Sequence, residues 1–174
     1  MMRLFTALEL PPHIRDALLG AMGGVAGARW QRDDQLHLTL RFIGDADRHQ
    51  ARDIAAALGM VHVVPFQLSL TGPGTFDRRG RIDALWVGVT PQDAVAALAK
   101  RIDQALQRVG VPPETRAFVP HVTVARFGRE IGPLGAFPMA PLPVQPFDIN
   151  GFALWESRLT HDGADYRVIE RYPL

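Results

Sequence analysis

The chain contains no cysteine, which excludes disulfides, thiolate metal sites and a thiol nucleophile. Nor does any stretch approach the ~20 uninterrupted apolar residues of a membrane-spanning helix. The opening MMRLFTALELPP has no long apolar h-region and is interrupted by Glu9, so a cytoplasmic location is the expectation. Lysine is almost missing as well, with Lys100 alone among many arginines. Arginine suits bidentate phosphate contacts, but this bias beside abundant alanine is first of all the mark of a GC-rich genome. A formal net charge of +1 does not advertise a nucleic-acid binder. Low-complexity segments and solenoid periods are absent too. The Gly72–Gly74 turn lacks the GK[ST] ending of a phosphate loop.

What is present is enough for one sizeable core: 174 residues, 47% of them hydrophobic, hence one domain or two small lobes sharing a core. Arg3–Leu10 reads as a first strand, and Pro11 and Pro12 end it. His13–Met22 carries Ile14, Ala17, Leu18 and Ala21 at helical spacing, with Gly23 and Gly24 beyond. A second helix is expected over Arg48–Leu58 and a third from Pro91 to about Val109, stopped by Gly110, Pro112 and Pro113. Phe66–Leu70 and Ala84–Val89 read as strands, and the intervening TGPGTFDRRGRID as an exposed loop or hairpin. Glu130–Pro146, rich in proline, reads as a wrapped, irregular connection. Phe147–Ser157 and Tyr166–Tyr172 look like a closing antiparallel pair. The order of strand pairs and short helices points to α+β rather than a doubly wound parallel sheet.

Two segments stand out, Gln35–Phe42 (QLHLTLRF) and Val119–Phe127 (VPHVTVARF). Both alternate apolar and polar residues with the period of a half-buried strand. In an extended strand, residues two apart share a face, so His37 projects with Thr39, and His121 with Thr123. Leu38, Leu40, Val122 and Val124 turn the other way, into a core. A strand, a helix and a histidine strand recur in each half, as in a pair of related lobes. An imidazole, with an ordinary pKa of about 6.5, can give or take a proton near neutrality. Two on opposite sides of a phosphorus centre can divide the work, one deprotonating water and the other protonating the leaving oxygen. Threonine hydroxyls can hold the non-bridging oxygens, with an arginine adding charge.

On these residues the sequence resembles the two-histidine (2H) phosphoesterase superfamily, specifically the bacterial and archaeal RNA 2′,3′-cyclic phosphodiesterases, also called 2′-5′ RNA ligases. RLFTALELPPHIRDAL matches the family's opening, QLHLTLRFIGD its first motif, FDRRGRIDALWVGV its middle, FVPHVTVARF its second motif and ALWESRLTHDGADYRVIERYPL its closing hairpin. The resemblance implies that residues 1–174 form a single bilobal domain, with two antiparallel sheets framing a cleft and helices outside. It implies hydrolysis of an RNA-terminal 2′,3′-cyclic phosphate to a 2′-phosphate, without metal or cofactor; a monomer is the expected state. His37 and His121 would be the proton-transfer pair, and Thr39 and Thr123 would bind phosphate. In the order suggested by O3′ as leaving atom, His37 is the acid and His121 the base. The family's arginine after the second motif falls on Arg126. Strict alternation puts Arg126 on the face opposite His121, so its participation requires a bulge or a strand end. Arg41 shares parity with His37 and is a second candidate.

Simpler readings stand beside these. A lone strand histidine is ordinarily structural; the doubled motif is what singles out His37 and His121. His13, His49, His62 and His161 have no such partners and read as surface or packing residues. A zinc site on His37 and His121 would need a third His, Asp, Glu or Cys ligand, and threonine is a poor substitute. Trp30 and Phe127 could stack on a base, as aromatics do in single-stranded RNA recognition, or serve as core or cleft wall. The arginines of Asp77–Arg81 could guide an RNA backbone or be solvated loop charges. Two other activities use the same residues: a non-catalytic module that binds RNA ends, and 2′-5′ ligation as the physiological direction.

Overall fold

The computed structural model describes residues 1–138, 142 and 144–174. Parts of the Glu130–Pro146 connection, residues 139–141 and 143, therefore lie outside the described residues. The first strand, β1 (Met2–Glu9), ends at the two prolines, and Pro12 opens α1 (Pro12–Ala21), where a missing N–H is harmless. Ile14 and Leu18 face the core from α1. Gly23 and Gly24, both at positive φ, turn the chain away from the helix. A short β2 (Ala28–Trp30) and a 3-10 turn at Asp33–Gln35 lead into β3 (His37–Ala46). Helix α2 (Arg48–Leu58) is capped by the Asp47 carboxylate, which accepts from the Gln50 N–H at 2.9 Å.

The glycine-rich middle is a hairpin. β4 (Phe66–Arg78) and β5 (Arg81–Thr90) pair up to the two-residue turn Arg79–Gly80, both residues at positive φ, as a primed turn requires. The exposed-loop alternative is thus overturned. Cross-strand packing of Phe76 and Trp86 outweighs a composition that by itself suggests a loop. Helix α3 (Gln92–Gln107) comes next, then β6 (His121–Phe127), β7 (Phe147–Ile149), β8 (Gly151–Thr160) and β9 (Gly163–Pro173). The single strand expected over Phe147–Ser157 is two, divided at Asn150: β7 pairs with β4 and β8 with β1.

The strands run in the order β7-β4-β5-β6-β3-β1-β8-β9, with β2 beside β6, and every pairing is antiparallel. One half holds β3, β1, β8 and β9, the other β6, β5, β4, β7 and β2. They meet where β3 and β6 touch through one ladder pair, Leu38 and Val122. Each half repeats one device: a strand (β1 or β5), a helix (α1 or α3), and a histidine strand (β3 or β6) laid antiparallel to the first. The helices cover one face, where Leu38, Leu40, Val122 and Val124 pack with Ile14, Ile54, Leu98 and Ile102. A fully buried side chain of this size contributes about 1.5–3 kcal/mol. The opposite face of the central strands is free to form a cleft. This is the α+β, two-lobed antiparallel architecture expected from the sequence.

Candidate active site

Alternation brings His37 and Thr39 from β3, and His121 and Thr123 from β6, into one cavity of about 300 Å³. Immediately after each HxT the alternation is broken in the same way. On β3, Arg41 pairs with Thr6 and Thr39 with Ala7, so Leu40 is an extra residue. On β6, Ala125 pairs with Leu85 and Thr123 with Trp86, so Val124 is extra. Each one-residue bulge reverses the facing of the strand residues beyond it.

The bulges decide the two arginines. Arg126 is swung onto the face of His121 and lines the cavity, without a side-chain partner among the described residues. Arg41 is swung off the face of His37, contrary to strict alternation. It is 9% exposed, its Nε donates to Asp103 at 2.7 Å, and its other nitrogens donate to the carbonyls of Phe42 and Pro112, with Glu114 at 3.5 Å. Its guanidinium is spent on tying β3 to α3 and to the segment leading to His121. In its stead Phe42 enters the cavity, at the position after the motif that Arg126 occupies in the other half.

Each imidazole is oriented alike. His37 Nδ1 lies 2.7 Å from the Gln35 carbonyl, and His121 Nδ1 lies 2.6 Å from the Val119 carbonyl. A carbonyl only accepts, so Nδ1 carries the hydrogen and Nε2 is the working atom. His37 Nε2 is 3.1 Å from Thr39 Oγ1, whose hydroxyl donates to it when the ring is neutral. Aromatic rings back both histidines. Phe5, Trp155 and Tyr166 surround His37 at ring separations of 5.1, 5.7 and 5.1 Å. Phe76 meets His121 edge-on at 4.6 Å, with Trp86 at 5.9 Å. The Trp86 indole lies across Gly74, where a Cβ would come within 2.2 Å of it.

These walls set the protonation. Desolvation lowers the His37 pKa to about 4, opposed by the Gln35 hydrogen bond and reinforced by the positive charges of His121 and Arg126. His121 is lowered for the same leading reason, opposed by Val119 and reinforced by Arg126. Both rings are therefore neutral at pH 7.

The other candidates lie outside the cavity of the two histidines. Trp30 is half-buried, stacks on Phe137 at 6.0 Å and lines the adjoining cavity beside Arg126. Phe127 is buried in the core, on the far side of β6 from His121. Among the described residues no three His, Cys, Asp or Glu side chains are grouped as a metal site would need. The aromatic backing came from strands remote in sequence and carried no local signal. Phe42 had one, its equivalence to Arg126 after the HxT.

Known proteins share this construction. Curated relatives called RNA 2′,3′-cyclic phosphodiesterase include one from Archaeoglobus fulgidus, 29% identical over 95% of this chain and 97% of its own. Another, from Thermus thermophilus, is 30% identical over 99% of this chain and 90% of its own. Among solved structures, E. coli LigT complexed with 3′-AMP superposes with a TM-score of 0.83 at 25% identity, covering 99% of this chain and 98% of that one. The family model for the 2′-5′ RNA ligase superfamily matches residues 10–160. With both HxT strands inside that match and the whole fold shared, the chain belongs to the 2′-5′ RNA ligase superfamily.

Proposed function

We propose that this protein, as a single catalytic unit, opens the 2′,3′-cyclic phosphate at RNA 3′ ends to a 2′-phosphate without a metal ion. The observation that carries the reading is the pair of Nε2 atoms in one cavity, each aimed by a backbone carbonyl two residues earlier and each followed by a threonine. The neutral imidazole takes a proton from water as its oxygen attacks phosphorus. The P–O3′ bond breaks, and O3′ takes the proton held by the other imidazole. The product carries a 2′-phosphate and a free 3′-hydroxyl, and the two rings exchange protons through solvent before the next turnover. Thr39, Thr123 and Arg126 hold the non-bridging oxygens, where charge-assisted bonds strengthen as the transition state forms. With His37 as acid, the bound anionic phosphate raises its proton affinity, so that the ring holds the proton it passes to O3′.

The test is EDTA-treated protein acting on an RNA with a 2′,3′-cyclic end, with 2′- and 3′-phosphate products resolved. Clean 2′-phosphate is expected. His37→Ala and His121→Ala should each lose about 10²–10⁴ in kcat with an unchanged circular dichroism spectrum. Near-normal turnover by either variant would refute the mechanism, and loss of turnover in EDTA would refute its metal independence.

A further inference from the structure

The cleft does not end at the catalytic pair. Beyond Arg126, Gln35 and Tyr166 it continues into a second cavity of about 250 Å³, between β2 and the turn joining β8 to β9. Arg29 and Arg32 line this extension. Arg29 and Arg126 are directly opposed in the β2–β6 ladder. Opposed residues of an antiparallel pair project on the same face, with Cβ atoms about 4.5–5.5 Å apart, where like charges repel. Neither arginine has an acidic partner among the described residues. Two such arginines on one face of neighbouring strands, without ion-pair partners among the described residues, leave guanidinium donors available to an anion. Arg32 is held by Asp34 at 3.0 and 3.2 Å, an exposed pair of the kind that contributes little and is readily exchanged for phosphate. Asp162, on the far rim, faces His161 at 3.0 Å.

The opposite continuation, past Phe76 and Phe118, carries both signs, with Asp77, Asp83 and Glu114 set among Arg41, Arg78 and Arg116. There Arg41 and Arg116 are ion-paired with Glu114, whereas Arg29 has no such partner among the described residues.

We propose that Arg29, next to Arg126 on the side away from the histidines, is a subsite for the phosphodiester on the 5′ side of the terminal nucleoside, and that the RNA leaves the cleft over β2. The substrate class is then an oligonucleotide end rather than a cyclic mononucleotide. The inference rests on the hydrolytic reading above but makes a separate demand: Arg29 acts only on substrates that possess that upstream phosphate.

The experiment compares kcat/KM for a tetranucleotide ending in a 2′,3′-cyclic phosphate with that for 2′,3′-cyclic AMP, in wild type, Arg29→Gln and Arg29→Lys. A charge-assisted phosphate contact corresponds to a preference of about tenfold or more for the tetranucleotide. In Arg29→Gln that ratio should fall toward one, and the slope of log kcat/KM against log salt for the tetranucleotide should flatten by about 0.7. Arg29→Lys should restore much of both. A wild-type ratio near one, or an Arg29→Gln ratio equal to wild type, would overturn the subsite while leaving hydrolysis intact. Equal losses on both substrates would also overturn it, since they would mean a structural role. Turnover of neither substrate by wild type would overturn the hydrolytic reading and the subsite with it.

Discussion

The neutral His37 makes the fold acid-sensitive in a calculable way. Its folded-state pKa is about 4 against an ordinary 6.5, so between those values the unfolded chain binds the proton more readily. Stability is therefore full above pH 6.5 and declines as pH falls toward 4. At pH 5.0 the unfolded imidazole is almost fully protonated and the folded one is about a tenth protonated. At about 1.36 kcal/mol per pKa unit, the loss relative to pH 7.5 is about 2 kcal/mol. Most carboxylates remain ionised at pH 5.0, which keeps this window clean. For a chain of this size the loss corresponds to roughly 4–8 °C in Tm. Urea unfolding of wild type and His37→Gln at both pH values isolates the contribution, because glutamine does not titrate. The variant's stability should change between the two pH values by about 2 kcal/mol less than that of wild type. Identical pH dependence in the two proteins would refute the claim that His37 is held neutral by its aromatic walls.

The site dictates three further outcomes. Because burial holds both imidazoles below the ordinary pKa of 6.5, kcat/KM should peak below pH 6.5. It should then fall as pH rises through neutrality; initial rates from pH 4 to 9 check this, and a maximum above pH 7.5 contradicts it. Arg41→Met strips Asp103 and Glu114 of their buried cation. It should cost about 2 kcal/mol in thermal unfolding, below the ~3–5 of a fully buried pair because both carboxylates stay partly wetted; an unchanged Tm would refute this. Gly74→Ala drives a methyl into the Trp86 ring and so shifts the backing of His121. It should lower kcat by roughly tenfold or more, and wild-type kcat in this variant would show that Trp86 does not position the histidine.

Much of this was legible because alternation is a local property. Period two placed His37 with Thr39, and His121 with Thr123, and helical spacing put α2 at Arg48–Leu58 without error. Alternation fails at a bulge, which is defined by the partner strand and has no mark in its own sequence. Arg41 and Arg126 were equal in kind, and only pairing with β1 and β5 separated the structural one from the one in the cleft. The need for a bulge at Arg126 could be stated from the sequence, but the matching bulge that removes Arg41 could not. The walls of the site were hidden for a related reason. Phe5, Trp155 and Tyr166 converge on His37 from β1, β8 and β9, and convergence of distant strands leaves no periodicity to read.

The two halves share a single rung of the ladder, between Leu38 and Val122. Each imidazole takes its aim from its own half, so the placing of the two Nε2 atoms relative to each other depends on how the halves join at that rung. Arg41, anchored on β3, also bonds the Pro112 carbonyl on the approach to His121 and so ties the halves together beside it. Gap and aim are thus separate adjustments. One is set by the backbone between the halves, the other by a carbonyl two residues before each histidine.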